Sequence, residues 1–417
     1  MTGDQYLLLP GPTPIPERVT RAMSQPMVNH RGPEFKQVLT EVVQGLKQVY
    51  RTDQHVLIYP ASGTGAMEAA VVNFLSPGDK VLAVSIGVFG DRFAKIAAGF
   101  GAQVEKMDFP WGQPADPQRV KERLDQDVNR EIKAILVTHN ETSTGVFNNI
   151  KAISEARGDH PALLMVDAIS GLATIDLKMD EWKLDVVASG SQKAFMIPPG
   201  LSFLAFSEKA LQIHEQTKMP RFYWDVSLGV KYLEKGQTPF TPAVSLFFGL
   251  RESLKMMLEE GLDNIIERHC NYRDLVRKAV GAMGLQLLAQ DEWASQAVTA
   301  VVAPESIGAN KIRKYMLEQF NIVLAGGQQN LDNVIFRIGH LGYVRQLDLL
   351  AVLAALEITL QQLGWEMEFG AGLNQAQAFI LSQTTERRIE RGNQKTSHRY
   401  RAHCRRRFRF TAYRSGR

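Results

Sequence analysis

Residues 34–50, EFKQVLTEVVQGLKQVY, place apolar side chains at Phe35, Val38, Leu39, Val42, Val43 and Leu46. That spacing of three and four predicts an amphipathic helix. Short apolar runs then recur: HVLIYP (55–60), KVLAVS (80–85), KAILVTH (133–139), ALLMVDA (162–168), DVVASGS (185–191) and LSFLAFS (201–207). Uninterrupted apolar runs of this length read as strands buried on both faces, and helical or loop stretches separate most of them. Strand–helix alternation predicts an α/β fold with a mostly parallel sheet. Such sheets bind ligands in the crevice beyond the carboxyl ends of their strands.

From about residue 245 the pattern changes. SLFFGLRESLKMMLEEGLDNIIERHCNYRDLVRKAVGAMG is almost continuous amphipathic helix, interrupted near Gly261. A strand candidate (QAVTAVVAP), a helix (ANKIRKYMLEQF), a strand running into a turn (NVIFRIGHLG) and a helix (LDLLAVLAALEITLQQLG) follow. This predicts a smaller α+β domain. At the other end, Pro10, Pro12, Pro14 and Pro16 forbid regular helix. The expected organisation is an extended arm over 1–20, a large domain over 21–258, a small domain over 259–375 and a tail over 376–417.

Composition changes this picture in two places. The chain of 417 residues has only two cysteines, Cys270 and Cys404. A four-cysteine zinc or iron–sulfur site and a disulfide framework are excluded, and no metal site is expected. The second place is the tail. Residues 383–417 hold eleven Arg and one Lys against two Glu, a net +10, so the rest of the chain carries −6 within the overall +4. Basic runs with aromatics can bind nucleic acid, but a disordered, solvated tail is the expectation. The N-terminal apolar run is three leucines stopped by proline. No signal peptide and no membrane span are expected, which makes a cytoplasmic protein the default.

The candidate chemistry falls at predicted strand ends. After strand 55–60 comes Ser62-Gly63-Thr64-Gly65 and then the helix AMEAAVVNFL. Glycines and a helix N-terminus make a phosphate cradle in form, although such a turn also occurs for purely structural reasons. Asp167 ends the apolar run LLMVD; it is either a satisfied turn carboxylate or one aimed at a cationic ligand atom. Lys193 follows strand 185–190 in SGSQKAF. It is either a solvated loop lysine or, if buried, a nucleophilic amine with a lowered pKa. Together a phosphate site, a carboxylate and an amine are the parts needed to bind pyridoxal 5′-phosphate: donors for its phosphate, an anion for its pyridine nitrogen, an amine for its aldehyde.

The chain resembles the class V, fold type I aminotransferases, nearest to the alanine–glyoxylate and serine–glyoxylate group. The matching stretches are LLLPGPTPIP, SGTGAMEAAVVNFLSPGDKV, THNETSTGV, LLMVDAIS, SGSQKA, TPFTPAVSLFFGLRESL and FRIGHLG, spread from about Tyr6 to about Gly370. The resemblance implies a mostly parallel seven-stranded sheet in the large domain and a homodimer with shared active sites. It implies Lys193 as the Schiff-base lysine and Asp167 as the partner of the pyridine nitrogen. Thr64, Gly65 and Ala66 would hold the phosphate, helped by Gln192. Thr142 would lie near the phenolic oxygen, Phe89 would stack on the ring, and Ile169 would cover its other face. Thr241 would reach the phosphate from the second subunit. Arg337 would take the substrate carboxylate, with Gly11 beside the substrate. The implied reaction is transamination between serine or alanine and glyoxylate or pyruvate.

Two positions depart from the alanine–glyoxylate pattern. Where that type has Tyr, three residues before the Thr matched by Thr241, this chain has Thr238. The neighbouring Phe240 has no hydroxyl, so the partner's phosphate contact is weaker or made differently. The pair His30-Arg31 looks more like the serine–glyoxylate type, and Arg31 reads either as a substrate-side cation at a dimer interface or as a structural contact. Two other readings remain. A class V lyase such as cysteine desulfurase would need a cysteine on a mobile loop, and Cys270 lies in a predicted helix. The other is an accessory subunit of a soluble hydrogenase, since some relatives carry that label.

Overall fold

The computed structural model describes residues 5–393, with side chains through Thr384. A short strand, β1 (Tyr6–Leu8), leads through the proline-rich turn into α1 (Glu17–Met23) and α2 (Pro33–Tyr50). The large domain continues with β2 (His55–Tyr59), α3 (Gly63–Phe74), β3 (Lys80–Ser85), α4 (Val88–Gly99), β4 (Gln103–Asp108), α5 (Pro117–Asp125) and β5 (Ile132–Thr138). A hairpin of β6 (Asn140–Glu141) and β7 (Val146–Phe147) precedes α6 (Ile150–Arg157), β8 (Leu163–Asp167), β9 (Val186–Gly190) and β10 (Ser202–Phe206). Helices α7 (Glu208–His214), α8 (Val226–Glu234) and α9 (Val244–Glu260) follow. The second body is α10 (Leu262–Ala282), β11 (Gln286–Leu287), β12 (Val298–Val302), α11 (Ala309–Phe320), β13 (Ile322–Gly326), β14 (Ile335–Gly339), α12 (Gln346–Gln362) and α13 (Ala371–Asn393).

The large sheet has seven strands in the order β2-β10-β9-β8-β5-β3-β4. The apolar runs are its strands, and β5, β8, β9 and β10 are buried almost throughout because helices cover both faces. On one face α3 contributes Ala66, Met67, Ala70 and Phe74; on the other α2 contributes Phe35, Leu39, Val42 and Leu46, packed against Phe247 and Leu254 of α9. The periodicity of residues 34–50 thus marks the buried stripe of α2. One member departs from the parallel pattern: β10 is antiparallel to both neighbours. One strand of this large sheet was not legible in the sequence, the polar edge strand β4 (QVEKMD), which pairs with β3 alone.

The second sheet has five strands in the order β1-β13-β14-β12-β11. The N-terminal arm is therefore not a free segment. Tyr6–Leu8 pairs in parallel with Ile322–Leu324, and Leu8 is buried in that domain's core. α1 already begins at Glu17, directly after Pro16 at its N-cap. The helical run breaks at Gly261, whose φ of +86° suits glycine. At the other end α13 runs straight through position 376, where the sequence predicts the tail to begin. Its Ala376 is fully buried, Phe379 and Ile380 pack on the same core, and Glu357 of α12 accepts from the Gly372 and Leu373 N–H groups at 2.6 and 3.2 Å. The basic stretch from 394 onward, with Cys404, lies outside the described residues. Among the described residues no helix is long and apolar enough to cross a membrane.

Candidate active site

Because β10 alone runs backwards, the other six strands of the large sheet share one direction. The segments leaving their carboxyl ends converge on one edge: 61–66 after β2, 86–89 after β3, 139–143 after β5, Asp167 closing β8, and 191–193 after β9.

The turn after β2 passes directly into α3, with Ser62 as an extended N-cap whose hydroxyl makes no capping bond. Gly63, Thr64, Gly65 and Ala66 form the first turn. The Gly65 N–H turns back to the Ser62 carbonyl at 2.8 Å. Backbone N–H groups and the positive end of the helix dipole at such a terminus favour an anion. The turn is crowded from the side: a Cβ on Gly63 would lie 2.6 Å from Ile169 Cδ1, and one on Gly65 would lie 3.0 Å from the Trp224 ring. Gln192 reaches the same corner, between Gly190 and Gly63, and its Oε1 is buried without a hydrogen-bond partner.

Asp167 is 3% exposed, and its Oδ1 accepts from the Ile169 N–H at 3.0 Å. Burial pushes its carboxyl up to about 7; Glu141 adds to the rise, while the Ile169 N–H, Lys193 and Arg92 oppose it. A carboxylate in this setting is short of a cation. Lys193 shows the complementary shift. Burial lowers its amine to about 8, against the pull of Asp167 and with help from Arg337 and Arg92. Its Nζ donates to the Pro10 carbonyl oxygen. Gly11 lies flat on the lysine stem, where a Cβ would be 2.5 Å from Lys193 Cδ. Thr13 closes the contact, its N–H donating to the Gln192 carbonyl at 3.3 Å and its hydroxyl to the Lys193 carbonyl at 3.1 Å.

Phe89 is the second residue of α4, and the Arg92 guanidinium stands 4.7 Å from its ring centroid. Thr142 is buried in the turn after β6. Arg337 comes from β14 of the small domain and is 5% exposed. Its Nε donates to the Gly326 carbonyl and its Nη1 to the Thr142 carbonyl, both at 2.8 Å. Burial lowers the guanidinium to about 10, with Glu141 opposing and Arg313 reinforcing. It stays charged at neutral pH.

The structure thus brings Gly11, Thr64, Gly65, Ala66, Phe89, Thr142, Asp167, Ile169, Gln192, Lys193 and Arg337 to one edge. Two predicted residues stand apart. Arg31 is exposed, and its guanidinium donates to Gln237 Oε1 (3.1 Å), the Thr238 carbonyl (2.6 Å) and the Pro239 carbonyl (3.2 Å). In this chain it braces the loop that leads to Thr241, which is also exposed. Sequence reasoning missed Pro10 and Thr13, whose contacts with Lys193 span about 180 positions. It also missed Glu141 and Ser143, although both are polar residues flanking Thr142 in THNETSTGV. Among the described residues no group of three His, Cys, Asp or Glu is placed to hold a metal. The edge can hold a dianion at α3, a cationic ring atom at Asp167, an electrophilic carbon at Lys193 and a carboxylate at Arg337.

A seven-stranded, mostly parallel sheet with a smaller α+β domain and a lysine at its carboxyl edge is the fold type I architecture of pyridoxal-phosphate enzymes. Residues 5–346 match the model of the family described as aminotransferase class-V, and the chain belongs to that family. It is 46% identical over 375 residues to the soluble hydrogenase 42 kDa subunit of Anabaena cylindrica, covering 89% of this chain and 98% of that one. It is 39% identical over 387 residues to the serine–glyoxylate aminotransferase of Methylorubrum extorquens, covering 91% and 96%. Among solved structures, the ureidoglycine–glyoxylate aminotransferase of Bacillus subtilis matches with a TM-score of 0.86 at 30% identity, over 91% of this chain and 99% of that one. The protein is a pyridoxal-phosphate-dependent aminotransferase.

Proposed function

We propose that this aminotransferase moves an amino group between a small amino acid, serine or alanine, and glyoxylate or pyruvate. The observation that carries the reading is the convergence of a buried amine with a lowered pKa (Lys193), a buried carboxyl with a raised one (Asp167) and a buried guanidinium (Arg337) on one edge, beside a helix N-terminus. The names of the glyoxylate-dependent relatives supply the acceptor.

The residues fit pyridoxal phosphate. The Gly63 and Thr64 amides that open α3 mark the phosphate end, and Gln192 beside them would turn its side-chain N–H donors toward the phosphate. Asp167, lifted by burial, becomes a stable carboxylate once a pyridinium N–H faces it. The cofactor supplies an electron sink for charge released at the substrate Cα. Arg337 pairs with the substrate carboxylate and so fixes which Cα bond can break. Lys193 Nζ, neutral in about half the molecules near pH 8, holds the cofactor and then takes and returns the Cα proton as general base and general acid. Phe89 and Ile169 close over the ring and exclude water. Gly11 leaves room for the lysine stem to swing.

The same reading includes a cytoplasmic homodimer in which Thr241, braced by Arg31 through the 237–239 loop, serves the other subunit's phosphate site. Mixing inactive Lys193→Ala with inactive Thr241→Ala protein should restore activity through hybrid dimers. Borohydride reduction and peptide mapping should label Lys193. A matrix of amino donors against glyoxylate and pyruvate tests the function itself, and absence of turnover with glyoxylate overturns it. The name of the Anabaena relative favours one further role, as a companion of a soluble hydrogenase. That role would leave this site intact, and co-purification with hydrogenase activity tests it.

A further inference from the structure

Three consecutive residues of one turn grip two separate parts of the site. Glu141 Oε2 accepts from the Phe89 and Gly90 N–H groups at 3.0 and 3.1 Å. Its Oε1 accepts from the Ser143 N–H at 3.1 Å and the Ser143 hydroxyl at 2.5 Å. The Ser143 hydroxyl in turn accepts from the Val88 N–H at 3.1 Å. The first three amides of α4 therefore all end on this turn. Between the two grips, the Thr142 carbonyl receives Arg337.

An α-helix is ordinarily capped by a side chain at its own N-cap. Here the N-cap is Gly87, which has none, and the cap comes from residues more than fifty positions away. The substitution is sterically committed. A Cβ on Gly87 would lie 2.6 Å from both Glu141 Cγ and Ser143 Oγ. Glu141 itself is fully buried. Burial pushes the Glu141 carboxyl up, and four donors, the Phe89, Gly90 and Ser143 N–H groups and the Ser143 hydroxyl, oppose that rise. Helix stability alone would need only a serine or aspartate at position 87. The distant cap adds what a local cap cannot: it ties the orientation of the Phe89 ring to the turn that also seats Arg337.

We infer that Glu141, assisted by Ser143, is a positioning residue for transamination: it holds the first turn of α4 so that the Phe89 ring lies flat on the cofactor, in register with the Arg337 carboxylate site. The inference rests on the reading of Phe89 as the stacking aromatic.

The test uses full-length holoprotein. It follows release of pyridoxal phosphate on dilution into a carbonyl-trapping reagent, together with the induced circular dichroism of the bound cofactor. Glu141→Gln keeps the size but offers one acceptor oxygen instead of two. It should release the cofactor about tenfold faster and weaken the induced signal. Phe89→Ala alone should also speed release. Glu141→Gln added to Phe89→Ala should change release by less than about twofold, because no ring remains to be positioned. Ser143→Ala covers the case in which Glu141→Gln does not accumulate as folded protein; it should act in the same direction, about threefold, and lose its effect in the Phe89→Ala background. Unchanged release in both turn variants, or an effect that keeps its full size without Phe89, overturns the inference. Unchanged release in Phe89→Ala overturns the stacking reading instead.

Discussion

Arg337 Nη1 donates to the Thr142 carbonyl oxygen at 2.8 Å, joining β14 to the turn after β6 across 195 positions. The contact pins β14 of the small domain to the carboxyl edge of the large sheet. It also sets the guanidinium's plane, since Nε is held by Gly326 on the other side. With two N–H groups committed, three remain for an incoming carboxylate.

Arg337→Lys keeps the charge and loses this geometry. A lysine cannot hold Gly326 and Thr142 and still present a planar fork. The expected outcome is a fall of about 100-fold or more in kcat/KM, roughly 3 kcal/mol, expressed mainly as a raised KM for the amino acid. Steady-state rates over a range of donor concentration check it. A KM within about twofold of the parent would remove Arg337 from the substrate site.

Gly11→Ala should damage the site without unfolding the domain. The added carbon meets the Lys193 stem at 2.5 Å, and position 11 has a φ of +107°, which L side chains rarely adopt. We expect a stability loss of about 1–3 kcal/mol and reduced cofactor occupancy. Calorimetry and the visible absorbance of the purified protein report the two effects separately. Full occupancy with an unchanged melting temperature would mean that the arm does not constrain the lysine.

The cofactor-free protein should lose stability as pH rises from about 4 to 7. Asp167 titrates near 7 when folded and near 3.8 as a model carboxyl, so in this window the folded chain binds the extra proton. The loss is on the order of 4 kcal/mol across the window. Lys193 acts in a higher window. Its folded value of about 8 lies below the model 10.5, so its contribution is present above about 10.5 and lost as pH falls to about 8. Asp167→Asn should remove the lower limb only. The measurement is the melting temperature of both cofactor-free proteins at pH 5 and pH 7.5; identical differences in the two would show that Asp167 does not titrate there.

Truncation separates the two halves of the C-terminal region. A chain ending after Thr384 should keep cofactor binding, turnover and melting temperature. A chain ending after Gly370 strips Ala376, Phe379 and Ile380 from the small domain's core and leaves the buried Glu357 without its two amide donors. A loss of about 2–4 kcal/mol follows from the apolar area and the orphaned carboxylate. Thermal melts of the three lengths decide this, and equal stability after Gly370 would make α13 dispensable.

The apolar runs and the helical stripe of residues 34–50 were legible because burial leaves a periodic trace in a single segment. The same holds for SGTGA, LLMVDAIS and SGSQKA, since a glycine turn, a strand-end carboxylate and a loop lysine each carry their chemistry locally. β4 was not legible, because an edge strand exposed to water needs no apolar run. The end of the small domain lies beyond the predicted boundary: the sequence after Gly370 is largely polar and then turns basic, and only the docked position of Ala376 shows that one face of α13 is core.

The sequence by itself determined the α/β class and set a lysine, a carboxylate and a glycine turn at strand ends, because each depends on residues close together in the chain. Only the tertiary structure decided what surrounds them. It placed Pro10 and Gly11 against Lys193 by adding the arm to the small domain's sheet, seated Arg337 on Thr142, and set Glu141 under Phe89. Those contacts join segments 52 to 195 positions apart. Their cause is the closure of two sheets onto one edge, and no short stretch of sequence records which distant carbonyl or amide will lie there.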